Sequence, residues 1–131
     1  MHLVIDGYSN NRKLLQDVDF LRNWLSTFPS KIGMTRISSP HVLKYAGHNP
    51  EDWGISGFVF IAESHISIHT FVEHNYVNID IFSCKDFDAD KAIKYLQGEF
   101  QLTKLRTCLI SREWSAEPAS AAYPLNFSYH G

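Results

Sequence analysis

The order of apolar patterns along the chain predicts an α+β fold, a two-layer sandwich with a largely antiparallel sheet and both helices on one face. Two observations carry that expectation. Apolar residues recur at helical spacing in only two stretches, Asn11 to Phe28 and Ala89 to Phe100, while the runs between and around them have strand length and β-rich composition. The three central β-rich runs follow one another with short separations, which suits hairpin connections. The predicted order is β-α-β-β-β-α-β, and residues 1–131 read as a single domain without internal repeat or linker.

The first run, "HLVIDGY" (His2 to Tyr8), places Leu3 and Ile5 on one face and ends at Gly7 and the polar "SNN". From Asn11 to Phe28, Leu14, Val18, Leu21, Leu25 and Phe28 form the stripe of an amphipathic helix. Asn10 or Asn11 can cap it, and Pro29 with Gly33 marks its end. "MTRISSPHVLKY" reads as extended with an interruption at Pro40, and "AGHNPEDWG" as a polar loop. Then come "ISGFVFIAE", "HISIHTFVE" and "YVNIDIFSC". The pair His74-Asn75 between the last two suits a hairpin turn, since asparagine tolerates the left-handed conformation. Asp88 caps the second helix, which turns Ala89, Ala92, Ile93, Leu96 and Phe100 to one side, and "LTKLRTCLISREW" returns as the last strand. The tail from Ser115 shows no period, but Tyr123, Leu125, Phe127 and Tyr129 predict that it docks on the domain.

Composition narrows the function. With 44% hydrophobic and 20% charged residues the chain is an ordinary globular sequence. A net charge of -2 offers no basic footprint for nucleic acid. No apolar run reaches the roughly 20 residues of a membrane span, and "MHLVIDGY" lacks the basic and apolar regions of a secretory signal. The two cysteines, Cys84 and Cys108, are therefore expected as reduced thiols in the cytoplasm.

One stretch does not fit a purely structural strand. In "AESHISIHTF", Ile66 and Ile68 take the core face, which leaves His65, Ser67 and His69 together on the other. Phe71, Phe82 and Cys84 point the same way or nearly so, and an outer face of aromatics and imidazoles suits an interface or a pocket wall. A zinc site is not expected, because residues i and i+4 of a strand stand about 13 Å apart and no CxxC or HExxH spacing occurs. A serine hydrolase fits no better, for Ser64 lacks the glycine-flanked elbow that exposes a nucleophile.

The ordered set in "SGFVFIAESHISIHTFVEHNYVNIDIFSC" (Ser56 to Cys84) closely resembles the core of the prokaryotic S-adenosylmethionine decarboxylase proenzymes, a pyruvoyl-dependent family. The likeness is thinner through "HLVIDGY" and the first helix and absent from the tail. It implies that Ser64 attacks the carbonyl of Glu63, turning the peptide bond into an ester. Elimination then cuts the chain between Glu63 and Ser64 and leaves a pyruvoyl group derived from Ser64. That ketone condenses with the substrate amine and takes up the electrons released by decarboxylation, a task no ordinary side chain performs. By the same resemblance His69 removes the Ser64 α-proton, for which an imidazole is a suitable base near pH 7. Cys84 returns a proton to the substrate, Ser56 assists processing, and Glu73 lies near the substrate. Cys108 has no counterpart and reads as core.

Three departures stand out. Phe71-Val72-Glu73 replaces the expected Trp-Pro-Glu, Lys85 stands for a glycine, and "YAGHNPEDWGIS" is longer than the family's segment. Its Tyr45 and Trp53 are the candidates to replace the phenylalanine that stacks adenine. The reading is therefore a pyruvoyl-dependent decarboxylase of S-adenosylmethionine serving polyamine (spermidine) synthesis. The alternatives are an ornithine or arginine decarboxylase on the same scaffold, or an inactive regulatory homologue. Joint retention of Ser64, His69 and Cys84 argues against the last. The resemblance also implies a homodimer of cleaved protomers with the aromatic face near the interface.

Overall fold

The computed structural model describes residues 1–112 and 123–130. In chain order its elements are β1 (His2–Ser9), α1 (Arg12–Leu15), α2 (Val18–Lys31), β2 (Thr35–Arg36), β3 (His41–Ala46), β4 (Trp53–Ala62), β5 (Ser64–Phe71), a 3-10 turn (Val72–His74), β6 (Tyr76–Ser83), α3 (Ala89–Glu99), β7 (Leu102–Ile110) and β8 (Leu125–His130). They form one eight-stranded sheet in the order β2-β4-β5-β6-β1-β7-β8, with β3 also paired to β4. Every pairing is antiparallel. β1 runs between β6 and β7, so the first strand of the chain sits among the last ones.

The α+β sandwich follows from the predicted alternation. Leu3 and Ile5 of β1, Val59 and Ile61 of β4, Ile66 and Ile68 of β5, and Val77, Ile79 and Ile81 of β6 are all buried on the helix side. Each such side chain contributes on the order of 1.5–3 kcal/mol by leaving water. α2 packs over β2, β3 and β4, and α3 over β7. Between the helices, Trp24 lies edge-on to Phe100 and against Phe28, and its indole N–H donates to Glu99 at 3.0 Å. No helix among the described residues is long and apolar enough to cross a membrane.

Several boundaries differ from the sequence expectation. The helix predicted over Asn11 to Phe28 is broken after Leu15, because the Asp17 carboxylate accepts the backbone N–H of Phe20 and caps a new helix there. Asn11 stands at the cap position of α1 without a side-chain cap, and Leu15, not Leu14, is fully buried. Pro29 lies inside the last turn of α2, and the helix closes further on. There Gly33, at φ 76°, donates to Ser30 while Met34 donates to Pro29, the paired bonds of a left-handed glycine cap.

The extended run before the loop is two strands, β2 and β3, parted around Pro40 and both laid along β4. Trp53 and Gly54, read as loop, begin β4. Gly54 is required there, since a Cβ would come within 1.7 Å of the Thr70 carbonyl oxygen. The turn after β5 uses the 3-10 residues as well as Asn75, which does take the left-handed conformation (φ 54°). Leu102 to Trp114 is strand as far as Ile110, while Glu113, Trp114 and tail residues 115–122 lie outside the described residues. The tail also has a period that the sequence reading missed: Leu125–His130 alternates and pairs with β7 as an eighth strand. Cys108, expected in the core, is half-buried on the uncovered side, because its neighbours Thr107 and Leu105 take the helix side.

Candidate active site

The polar residues of β5 lie on the face that the helices leave open. Cross-strand register groups them in rows: Phe60, His65 and Phe82, then Phe58, Ser67 and Asp80, then Ser56, His69 and Asn78. Two half-sites result, at opposite ends of β5.

The first lies at the β4–β5 connection, where Glu63 is the one residue between the strands. Ser64 holds a φ of 115°, a region that favours glycine and costs a side-chain-bearing residue of order 1–3 kcal/mol. A serine is kept in glycine's place, and its hydroxyl finds a partner: Oγ stands 3.4 Å from the Sγ of Cys84. The backbone N–H of Cys84 also reaches the carbonyl oxygen of Glu63, at 3.4 Å. One residue thus brings a thiol to the hydroxyl and an amide proton to the neighbouring carbonyl. Arg112 closes this end, its guanidinium 3.9 Å from the centre of the Phe82 ring.

The second half-site lies at the far end of β5. Ser56 Oγ is 2.9 Å from His69 Nδ1, a pairing dictated by their opposite positions in the β4–β5 register. Both border a recess of about 210 Å³ whose walls include Tyr45, Asp52, Trp53 and Phe71. Tyr45 and Trp53, which the sequence could not place, thus stand beside His69. Glu73 accepts the Trp53 indole N–H at 3.0 Å and pairs with Arg12 at 2.5 Å. The Trp53 hydrogen bond first, and the Arg12 guanidinium after it, hold this exposed carboxyl below its usual pKa, so it is an anion at neutral pH. Lys44 lies 4.7 Å from the centre of the Trp53 ring on this flank.

Ser64 is thus brought to Cys84 and Ser56 to His69, but the two pairs are not brought to each other. Ser64 and His69 are five strand steps apart, about 16 Å at the ordinary rise. Arg12 and Trp53 went unnoticed as partners of Glu73. Trp53 is twenty residues from it in sequence and Arg12 far more, and nothing local signals either contact.

The chain is thus a two-layer α+β protein whose open sheet face carries serine, histidine and cysteine side chains in hydrogen-bonded pairs. The model of the S-adenosylmethionine decarboxylase family matches residues 1–113. The S-adenosylmethionine decarboxylase proenzyme of Archaeoglobus fulgidus is 32% identical over 112 residues, covering 85% of this chain and 95% of that protein. A proenzyme of the same name from Clostridium botulinum is 37% identical over 97 residues, 73% of this chain and 78% of the relative. The crystal structure of the adenosylmethionine decarboxylase from Aquifex aeolicus superposes with a TM-score of 0.69 at 26% identity, over 92% of this chain and 95% of that one. The chain belongs to the S-adenosylmethionine decarboxylase family.

Proposed function

We propose that this protein is a self-processing, pyruvoyl-dependent carboxy-lyase that decarboxylates S-adenosylmethionine and so supplies aminopropyl groups for spermidine synthesis. The observation that carries the reading is the geometry at the β4–β5 connection. The Ser64 hydroxyl lies beside Cys84, whose amide donates to the Glu63 carbonyl, in a chain of this family.

The residues present fit a pyruvoyl group at position 64. In the processing step the Ser64 oxygen attacks the Glu63 carbonyl carbon. Negative charge then builds on the oxygen that the Cys84 amide already faces. The C–N bond breaks as the C–O bond forms, and the nitrogen takes the hydroxyl proton. Removal of the Ser64 α-proton expels the Glu63 carboxylate, and water then releases ammonia from the new amino end. The pyruvoyl group supplies an electron sink for decarboxylation. Cys84 holds the proton that returns to the substrate carbon, and Glu73, fixed as an anion by Trp53 and Arg12, binds substrate polar groups in the recess.

His69 cannot reach the Ser64 α-proton of its own protomer across about 16 Å. The site is completed in a homodimer: a second copy turned end for end over the uncovered face lays the partner's Ser56 and His69 on Ser64 and Cys84. Exposed Tyr8, Phe58, Phe60 and Phe71 on that face support such a cover. The compartment proposed for this work is the cytoplasm, where a thiol such as Cys84 stays reduced.

Assaying labelled carbon dioxide from S-adenosylmethionine, ornithine and arginine side by side tests the substrate. Release from S-adenosylmethionine alone is expected, whereas release only from a basic amino acid would replace the substrate and keep the machinery. For the proton donor, Cys84→Ala is expected to process part of its chain yet lose roughly a hundredfold or more in kcat. It should also accumulate cofactor protonated at the wrong carbon, seen by mass spectrometry. Cys108→Ala, lacking any contact with the site, should lose less than about 1 kcal/mol of stability and keep its turnover. Equal losses in both variants would make Cys84 a structural residue.

A further inference from the structure

The C-terminal strand has no part in the chemistry above. β8 lies beyond residues 1–113, the span of the family match. Its pairing with β7 sets Leu125, Phe127 and Tyr129 on the uncovered side of the sheet and Asn126, Ser128 and His130 on the helix side. Phe127 and Tyr129 are each 73% exposed. With Val4, Asp6, Arg106 and Cys108 they wall a cleft of about 580 Å³. A strand whose apolar side is turned away from the protein's own core is shaped for a surface outside it.

We propose that β8 is a self-association element, whose Phe127 and Tyr129 pack on β8 of a second copy of this chain, with Phe127 at the two-fold axis. The proposal rests on the reading that a second copy completes the active site, and the geometry follows from that reading. For Ser64 and Cys84 to meet the partner's Ser56 and His69, the axis must lie between the two sheets and run across the strands. It must cross β5 midway between Ser64 and His69, at Ile66 and Ser67.

The register carries that line over the sheet. Ser67 faces Asp80, Asp80 faces Val4, Val4 faces Cys108, and Cys108 faces Phe127. All five share the uncovered face. An axis along this row places each strand over its own counterpart. Whatever crossing angle the sheet twist imposes, counterpart strands cross on the axis, so β8 meets β8 at Phe127 and Leu125 comes opposite the partner's Tyr129. Packed sheets stand about 10 Å apart, a gap that aromatic side chains from both sides fill.

Sedimentation equilibrium of the full processed protein tests this. The wild type is expected to be a dimer. The same row brings Asp80 near the partner's Asp80, but the His2 imidazole stands 3.0 Å from its carboxylate. Phe127→Asp sets two carboxylates against each other on the axis with no such neighbour, so its dimer dissociation constant should rise roughly a hundredfold. Decarboxylation by this variant should fade on dilution and return at high protein concentration, since no reacting group has changed. Circular dichroism checks that the exposed position leaves the fold intact. Independently, a bis-maleimide of about 10 Å span applied to the Cys84→Ser chain should join Cys108 to the partner's Cys108. A doubled mass for the fragment that carries Cys108 reads this out. A wild-type dimer that Phe127→Asp leaves unchanged and the reagent fails to bridge overturns the assignment of β8 while the shared site stands. An active wild-type monomer overturns both.

Discussion

Ser64→Ala should leave a single uncut chain of full mass with no measurable decarboxylation. Without the hydroxyl no ester forms, so neither the cut nor the electron sink arises, and the loss is complete rather than graded. The wild type should run as two bands on a denaturing gel, one piece ending at Glu63. The other should start at position 64, lighter by one ammonia than a serine-initiated chain, resistant to Edman sequencing and reactive with borohydride. The same substitution relieves no clash and removes the hydrogen bond with Cys84 at 3.4 Å, so the uncut chain should fold and match the unprocessed wild-type precursor in stability within about 1 kcal/mol. An unprocessed wild-type chain after long incubation at neutral pH would place the inactive-homologue reading ahead of the enzyme.

The second large effect is a recovery. His69→Ala should stall at the ester, open to cutting by hydroxylamine, and is therefore as inactive as Ser64→Ala. Mixed and allowed to exchange subunits, the two dead variants should regain activity. In a mixed dimer the intact Ser64 of one chain meets the intact His69 of the other, while the second site has neither. Random exchange of equal amounts makes half the dimers mixed, each with one working site, so roughly a quarter of wild-type activity should return. Mass spectrometry should find the His69→Ala chain cut only after mixing. No recovery, with subunit exchange demonstrated, would require both groups to act within one protomer and would contradict the shared site.

Much of the fold was legible because strand alternation is a local signal. Ile66 and Ile68 could face the core in one parity only, and this placed His65, Ser67 and His69 on the open face. The break between α1 and α2 was hidden by an apolar stripe that continues across it, although Asp17 is an ordinary cap residue. β8 was missed for the opposite reason: its alternation, Leu-Asn-Phe-Ser-Tyr-His, is plain, but its apolar side leads to no core of the same chain. The separation of Ser64 from His69 follows from the strand rise that excluded a shared metal at His65 and His69. What could not be read is the setting of Glu73, since its bonds to Arg12 and Trp53 depend on where β1 and β4 deliver their ends.

The position of β1 between β6 and β7 would give the maturation proposed above a direction in folding as well as in chemistry. A cut between Glu63 and Ser64 parts the chain into a piece with β1 to β4 and a piece with β5 to β8. The second piece holds β6 and β7 but not the strand that joins them, and the first holds β1 with neither of its neighbours. Neither piece can build the middle of the sheet alone, where β1 joins β6 to β7 and β4 meets β5. The precursor finds these pairings as one molecule, whereas the mature protein, once unfolded, must find them as two, at a rate set by concentration. The intact chain would act as its own folding template, and the proposed processing would discard that template while the product stays assembled. A protein matured by that cut would persist through the slowness of its unfolding, since its separated pieces would have to meet again to refold.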